Sequence, residues 1–162
     1  MATDWIQALA TLGLLIVSGA LVFQLREMRN SRRKADATMH LREWHSPEVK
    51  KAREYIYTQE LPDDPSQLSP KEFKEIVKKI HPAIATMNNL GYLVEKQIID
   101  RNVVMAMSWS VFIRCGRKLK PYVQQLEELA GGEYYLQYFK ALVKRAEKYK
   151  AKNFPEVEVK IY

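Results

Sequence analysis

The longest apolar run of the chain lies near its start, in the stretch IQALATLGLLIVSGALVFQL from Ile6 to Leu25. Its only strongly polar side chains are Gln7 and Gln24, and neither is charged. With Trp5 included, the run forms a helix of about 31 Å, which matches the thickness of the hydrocarbon core of a bilayer. The pattern therefore predicts a transmembrane helix.

Two other interpretations of this run fit the sequence less well. A cleaved signal peptide carries positive charges before a shorter apolar stretch, whereas the opening MATDW includes Asp4 and no Lys or Arg. A helix buried in a protein core usually has a polar face, which this run lacks. The membrane-spanning interpretation is therefore the expected one.

Charged residues beside the run predict its orientation. No Lys or Arg comes before it, and Trp5 stands where an aromatic anchor belongs at the outer boundary of a membrane. Five basic residues follow it: Arg26, Arg29, Arg32, Arg33 and Lys34. Positive flanks stay in the cytoplasm and can meet anionic headgroups there. We expect a single-pass protein of the bacterial inner (cell) membrane, with its N-terminus outside and residues 26–162 in the cytoplasm.

The rest of the chain alternates between helical periodicity and signals that start a helix. Ser46 and Ser69 are each followed by a proline, which combines a good N-cap with a residue suited to the first helical turn. Asp100 can cap a further helix. Each of these positions is expected to begin a helix.

Breaking residues divide the same region. Pro82 is expected to kink or split a long helix, Pro121 lies near a second break, and Gly131–Gly132 end a helix. The C-terminal FPEVEVKIY alternates like a strand, but a lone strand is rarely stable, so we expect a short extended tail.

Together these signals predict an all-α protein. Residues 1–25 form a short outside N-terminus and the transmembrane helix, and residues 26–45 a basic juxtamembrane helix. Residues 46–162 form a cytoplasmic helical domain. The transmembrane helix is expected to continue into a cytoplasmic bundle of about four to five helices, which ends in a short extended tail.

A further pattern is formed by residues that cap helices, break helices or lie in the predicted core. A Trp and Ser-Pro-Glu open a helix with Ala-Arg, Asn and Gly precede an I-I-D turn, and a long helix reaches a Leu-x-Pro break. These positions are Trp44, Ser46, Pro47, Glu48, Ala52, Arg53, Asn89, Gly91, Ile99, Asp100, Leu119 and Pro121. The pattern resembles an uncharacterised bacterial and phage family of small all-helical domains with one N-terminal transmembrane helix. The resemblance implies this architecture and membrane anchoring, and no known activity.

The formal net charge of +7 is concentrated after the apolar run and near the end of the chain. Lys140, Lys144 and Lys148 share one face of the predicted last helix. Such a stripe is most often a helix face exposed to solvent. If it has a function, we expect contact with an anionic surface, either lipid or nucleic acid. Nucleic acid is the less expected partner, because we see no exposed aromatic platform on which unpaired bases could stack.

The chain offers little catalytic chemistry. Its single cysteine, Cys115, excludes an intramolecular disulfide and a cysteine-based zinc site. His40 and His45 are five apart, which does not suit joint metal ligation from one straight helix. Arg33 and His40 enclose six residues, as in RNA-cleaving HEPN-like helical domains, but this spacing arises easily by chance. We therefore predict no catalytic, metal or cofactor-binding residue and no cofactor.

The expected function is that of a membrane-anchored helical interaction or scaffold domain, which associates with itself or with another membrane or cytoplasmic protein. An oligomeric pore or membrane effector is an alternative, since Gln7, Thr11 and Ser18 lie near one helix face. A HEPN-like ribonuclease is the further alternative.

Overall fold

The computed structural model describes the backbone of residues 2–58, 61–132 and 136–160, with side chains from Leu12 onward. In these residues five α-helices follow one another: α1 (Ala2–Trp44), α2 (Pro47–Thr58), α3 (Pro70–Glu95), α4 (Arg101–Leu129) and α5 (Gln137–Asn153). A short 3₁₀ helix, Pro65–Gln67, lies between α2 and α3. The prediction of an all-helical chain is confirmed.

Three helices begin where the sequence places a cap. The Val49 N–H donates to Ser46 Oγ at 3.4 Å at the start of α2. At the start of α3, the Glu72 N–H donates to Ser69 Oγ, and the Ser69 N–H donates to Glu72 Oε2 at 3.0 Å. At the start of α4, the Asn102 N–H donates to the Asp100 carboxylate at 2.7 Å. Each cap satisfies backbone donors that the first helical turn leaves unpaired.

Neither internal proline divides a helix. α3 is continuous through Pro82, and α4 is continuous through Pro121. A proline removes one backbone hydrogen bond from the helix interior. Here buried residues on both sides of each proline, such as Ile80 and Ile84 in α3, pack into the same core and keep the two halves together.

The last helix holds the bundle together. α5 packs against both α3 and α4, which contact each other much less, while α2 packs on α3. Glycines permit the close approach of α5: a Cβ at Gly91 would collide with the carbonyl oxygen of Tyr138, and one at Gly116 would lie 2.5 Å from Val143 Cγ2. The end of α1 closes the core, where Leu41 and Trp44 are fully buried.

The first part of α1 extends away from this core. Every described side chain from Leu12 to Arg32 is exposed. We call residues 12–28 the apolar arm, because its large apolar side chains are 54–69% exposed. They are Leu12, Leu14, Leu15, Ile16, Val17, Leu21, Val22, Phe23, Leu25 and Met28.

The arm corrects one prediction. Within the residues whose side chains the structure describes, no helix is long and apolar enough to cross a membrane. In these described side chains the apolar stretch ends at Leu25. Arg26, Glu27 and Arg29 follow it at once, so a longer stretch takes in charged side chains. This finding contradicts the predicted transmembrane helix and the single-pass inner-membrane location; residues 5–11 of that prediction lie outside the described side chains.

The C-terminal tail folds back on the bundle. The Phe154 ring stacks on Trp109 with 5.2 Å between the ring centroids. Arg117 donates to the Val159 carbonyl at 3.5 Å. Residues 157–160 have no regular secondary structure, and residues 161–162 of the predicted tail lie outside the described residues.

Candidate functional site

A cationic groove lies between the start of α4 and the outer face of α5. Four exposed basic side chains line it: Arg101, Lys144, Lys148 and Lys152. Arg145 also borders the groove, but its guanidinium forms an ion pair with Glu95. The cavity has a volume of about 540 Å³, and no Asp or Glu is among its described lining residues. We call it the cationic groove.

Helical periodicity explains three of the four cations. Lys144, Lys148 and Lys152 recur every fourth residue of α5, which places them on one face at successive turns. Arg101 comes from the first turn of α4 and faces them across the groove. None of these four side chains has an ion-pair partner among the described residues. Their charges are therefore available to an external anion.

The helix N-terminus beside the groove is already occupied. The Asp100 side chain accepts from the N–H groups of Asn102 and Val103, at 2.7 and 3.3 Å. These are the backbone donors with which the start of a helix usually binds an anion. Recognition of an anion in the groove would therefore fall to side chains.

The remaining wall is partly apolar and partly neutral polar. Met105 is buried, Tyr149 is half-buried, and the amides of Asn102 and Asn153 are exposed. Asn153 Nδ2 donates to the Tyr149 carbonyl at 2.8 Å, which fixes the amide and leaves its oxygen free to accept. The groove thus combines four cations with two amides and an apolar wall.

The predicted stripe on α5 is only partly present in the groove. Lys144 and Lys148 line it, whereas Lys140 lies 2.9 Å from the carboxylate of Glu127 on α4. Glu127 is only 7% exposed, so this ion pair joins two helices. The i+4 spacing could have added Lys152 to the stripe, but placing Arg101 beside it requires the packing of α4 against α5.

The basic residues that follow the apolar run at Leu25 lie outside the cationic groove. Arg26, Arg29, Arg32 and Lys34 are exposed, and Arg33 is half-buried. The Arg33 carbonyl accepts from the Asp100 N–H at 3.3 Å, which ties α1 to the start of α4. The other predicted interface residue, Trp5, lies outside the described side chains.

His40, the histidine of the Arg33/His40 pair, lies near a carboxylate on its own helix. His40 Nδ1 lies 4.0 Å from Glu43 Oε2 on the same helix. Among the described residues, no group of three or more His, Cys, Asp or Glu side chains could hold a metal ion. The prediction that the chain has no catalytic residue stays untested.

The single thiol is held inside the core. Tyr57 Oη and Cys115 Sγ are 3.2 Å apart, between α2 and α4. Burial raises the pKa of the Cys115 thiol to about 11 and also raises the pKa of Tyr57. Both groups are therefore protonated at neutral pH, and Cys115 is poorly placed to act as a nucleophile.

Comparison with known proteins agrees with the resemblance seen in the sequence. Neither the curated proteins nor the solved structures gave a match. A family model, described as a domain of unknown function (DUF4760), matches residues 10–146. That match includes the end of α1 that enters the core, α2, α3, α4 and the part of α5 that packs between α3 and α4. The chain is therefore a member of the DUF4760 family.

Proposed function

We propose that this protein is a helical interaction domain that assembles with further copies of itself through the apolar arm. The observation that carries the proposal is the exposure of ten large apolar side chains on the apolar arm, each more than half exposed. Soluble monomers rarely expose a contiguous apolar surface of this kind, which usually marks an interaction site. The described part of the bundle leaves the arm uncovered, which supports a partner from another molecule.

The size of the exposed surface suits a protein interface. Ten apolar side chains at this exposure offer roughly 1,000 Å² per copy, compared with about 800 Å² per partner in a standard interface. A second copy presents the same surface, and most soluble oligomers use such self-complementary contacts. A Cβ at Gly13 or Gly19 would meet no other atom within 4 Å, so another helix can approach closely at these positions.

The distribution of apolar side chains argues for several neighbouring helices. Leu14, Leu15, Ile16 and Val17 are consecutive and exposed, so they point to all sides of α1. A helix that is apolar all round is stable when it is surrounded, whereas one partner helix covers only one side. The arm therefore suits a bundle of at least three arms better than a simple pair.

Co-purification of two differently tagged copies tests the proposal. The double variant Ile16→Glu/Phe23→Glu places charges on the arm and should abolish capture of the second copy. A matched control, Met107→Glu/Leu129→Glu, changes two exposed apolar residues outside the arm and should leave capture unchanged. Capture that survives in the arm variant, or is lost equally in the control, would contradict assembly through the arm.

A further inference from the structure

We propose that the cationic groove binds the oligophosphate group of a small ligand. This inference is independent of α1 and of self-association, because every side chain of the groove belongs to α4 or α5. The ligand is either an inorganic oligophosphate or the phosphate chain of a nucleotide. The two share the chemistry that the groove recognises.

Charge gives the first argument. Arg101, Lys144, Lys148 and Lys152 converge on one cavity without a carboxylate in its described lining. The three lysines on adjacent turns of α5 and Arg101 on α4 repel one another, and a multiply charged anion among them removes that repulsion. Charge-assisted hydrogen bonds from lysine and arginine to phosphate oxygens are stronger than neutral ones.

Shape gives the second argument. The three lysines stand one helical turn apart, about 6 Å between neighbours along the axis of α5. A linear chain of phosphates presents charged oxygens along its length, so one ligand can contact several turns at once. The cavity of about 540 Å³ also falls within the range of roughly 300–1,000 Å³ that small-molecule sites occupy.

The neighbouring aromatic residues favour a small ligand over a nucleic acid strand. Proteins that bind single strands stack successive bases on exposed aromatic rings. Tyr149 is half-buried, and its ring packs against Phe154 at 6.2 Å between centroids. Phe154 is in turn stacked on Trp109. These rings are engaged with one another and do not form a row of free platforms.

Calorimetric titration of the full chain tests the inference at physiological salt. The probes are sodium tripolyphosphate, ATP, AMP and adenosine. We expect tripolyphosphate and ATP to bind with micromolar affinity, AMP to bind much more weakly, and adenosine to give no signal. Equal affinity for tripolyphosphate and ATP would show that the groove recognises the phosphate chain alone, and tighter binding of ATP would assign a nucleotide.

Matched variants locate the site. Lys144→Gln/Lys148→Gln should weaken binding of tripolyphosphate at least about tenfold, since each lost charged hydrogen bond costs more than a neutral one. Lys74→Gln/Lys78→Gln removes the same charge from exposed positions on α3 and should change the affinity less than about twofold.

Three results would overturn the inference. The first is an absence of binding to tripolyphosphate at millimolar concentration. The second is an equal loss of affinity in the groove variant and the α3 control, which would show a response to net charge alone. The third is tighter binding, per phosphate, of a short RNA or of vesicles that contain anionic lipid, which would assign the groove to a macromolecule or a lipid surface.

Discussion

At the scale of single residues, Trp44 connects α1 to the core. Its ring is fully buried, and its centroid lies 5.4 Å from that of the Phe112 ring. The Arg53 guanidinium lies over the Trp44 ring, 4.7 Å from its centroid. Trp44→Ala should lower the free energy of unfolding by about 3–5 kcal/mol because it leaves a large cavity. Urea unfolding followed by circular dichroism measures this change. His40→Ala, at a partly exposed position, should stay within about 0.5 kcal/mol, and a similar loss in both variants would contradict this account.

Gly91 is a second residue on which packing depends. An added methyl group there meets the Tyr138 backbone carbonyl, which cannot rotate away as a side chain can. Gly91→Ala should therefore destabilise the protein by about 1–3 kcal/mol or more, although alanine favours helix. Gly132→Ala faces open space and serves as the control. Thermal melts of the two variants give the comparison, and an unchanged melt of Gly91→Ala would refute the close contact of α3 with α5.

The Cys115 thiol makes stability depend on alkaline pH. Its pKa is about 11 in the folded protein because of burial, and about 8.5 for an exposed thiol. Between these values the unfolded chain loses a proton that the folded chain retains, so stability falls as pH rises. Melting temperatures from pH 8 to pH 11 should fall less steeply for Cys115→Ala than for the unchanged protein. If the melting temperatures of the two proteins fall in parallel with pH, burial of the thiol does not contribute to the pH dependence of stability.

At the scale of helices, the sequence predicted what short-range chemistry determines. Ser69 and Asp100 bond to backbone groups within three residues, so their roles as caps follow from the local sequence. Whether Pro82 divides α3 depends on the core, in which residues on both sides of the proline are buried. The position of the Lys140 side chain depends on its ion pair with Glu127 in another helix. Local patterns do not contain these contacts. For the same reason Lys144 and Lys148 could be predicted as exposed cations, whereas Arg101 could not be assigned to their groove.

The ion pair between α4 and α5 gives a prediction at this scale. Lys140→Gln leaves the nearly buried Glu127 carboxylate without its partner on α5, and should cost about 1–3 kcal/mol. Lys144→Gln removes the same charge one turn later at an exposed position and should cost much less. Urea unfolding at neutral pH distinguishes them. Equal costs would mean that the pair with Glu127 contributes nothing to the packing of α5.

At the scale of the whole molecule, α1 divides into two parts with different environments. The end of α1 is buried in the bundle through Ala37, Leu41 and Trp44. The side chains of the apolar arm are exposed and do not pack in that core. The sequence showed the apolar run and the long helix correctly. Its assignment to a bilayer is contradicted, because no helix within the described side chains is long and apolar enough to cross a membrane. We propose that this exposed apolar helix contacts other copies of the chain.

Sedimentation equilibrium of the full chain over a range of micromolar concentrations tests assembly through the arm most directly. The chain has a mass of 18.9 kDa, so a bundle of arms predicts a mass of at least three times that value. The Ile16→Glu/Phe23→Glu variant is predicted to sediment as the single chain. A mass of 18.9 kDa for the unchanged protein throughout the concentration range would contradict self-association.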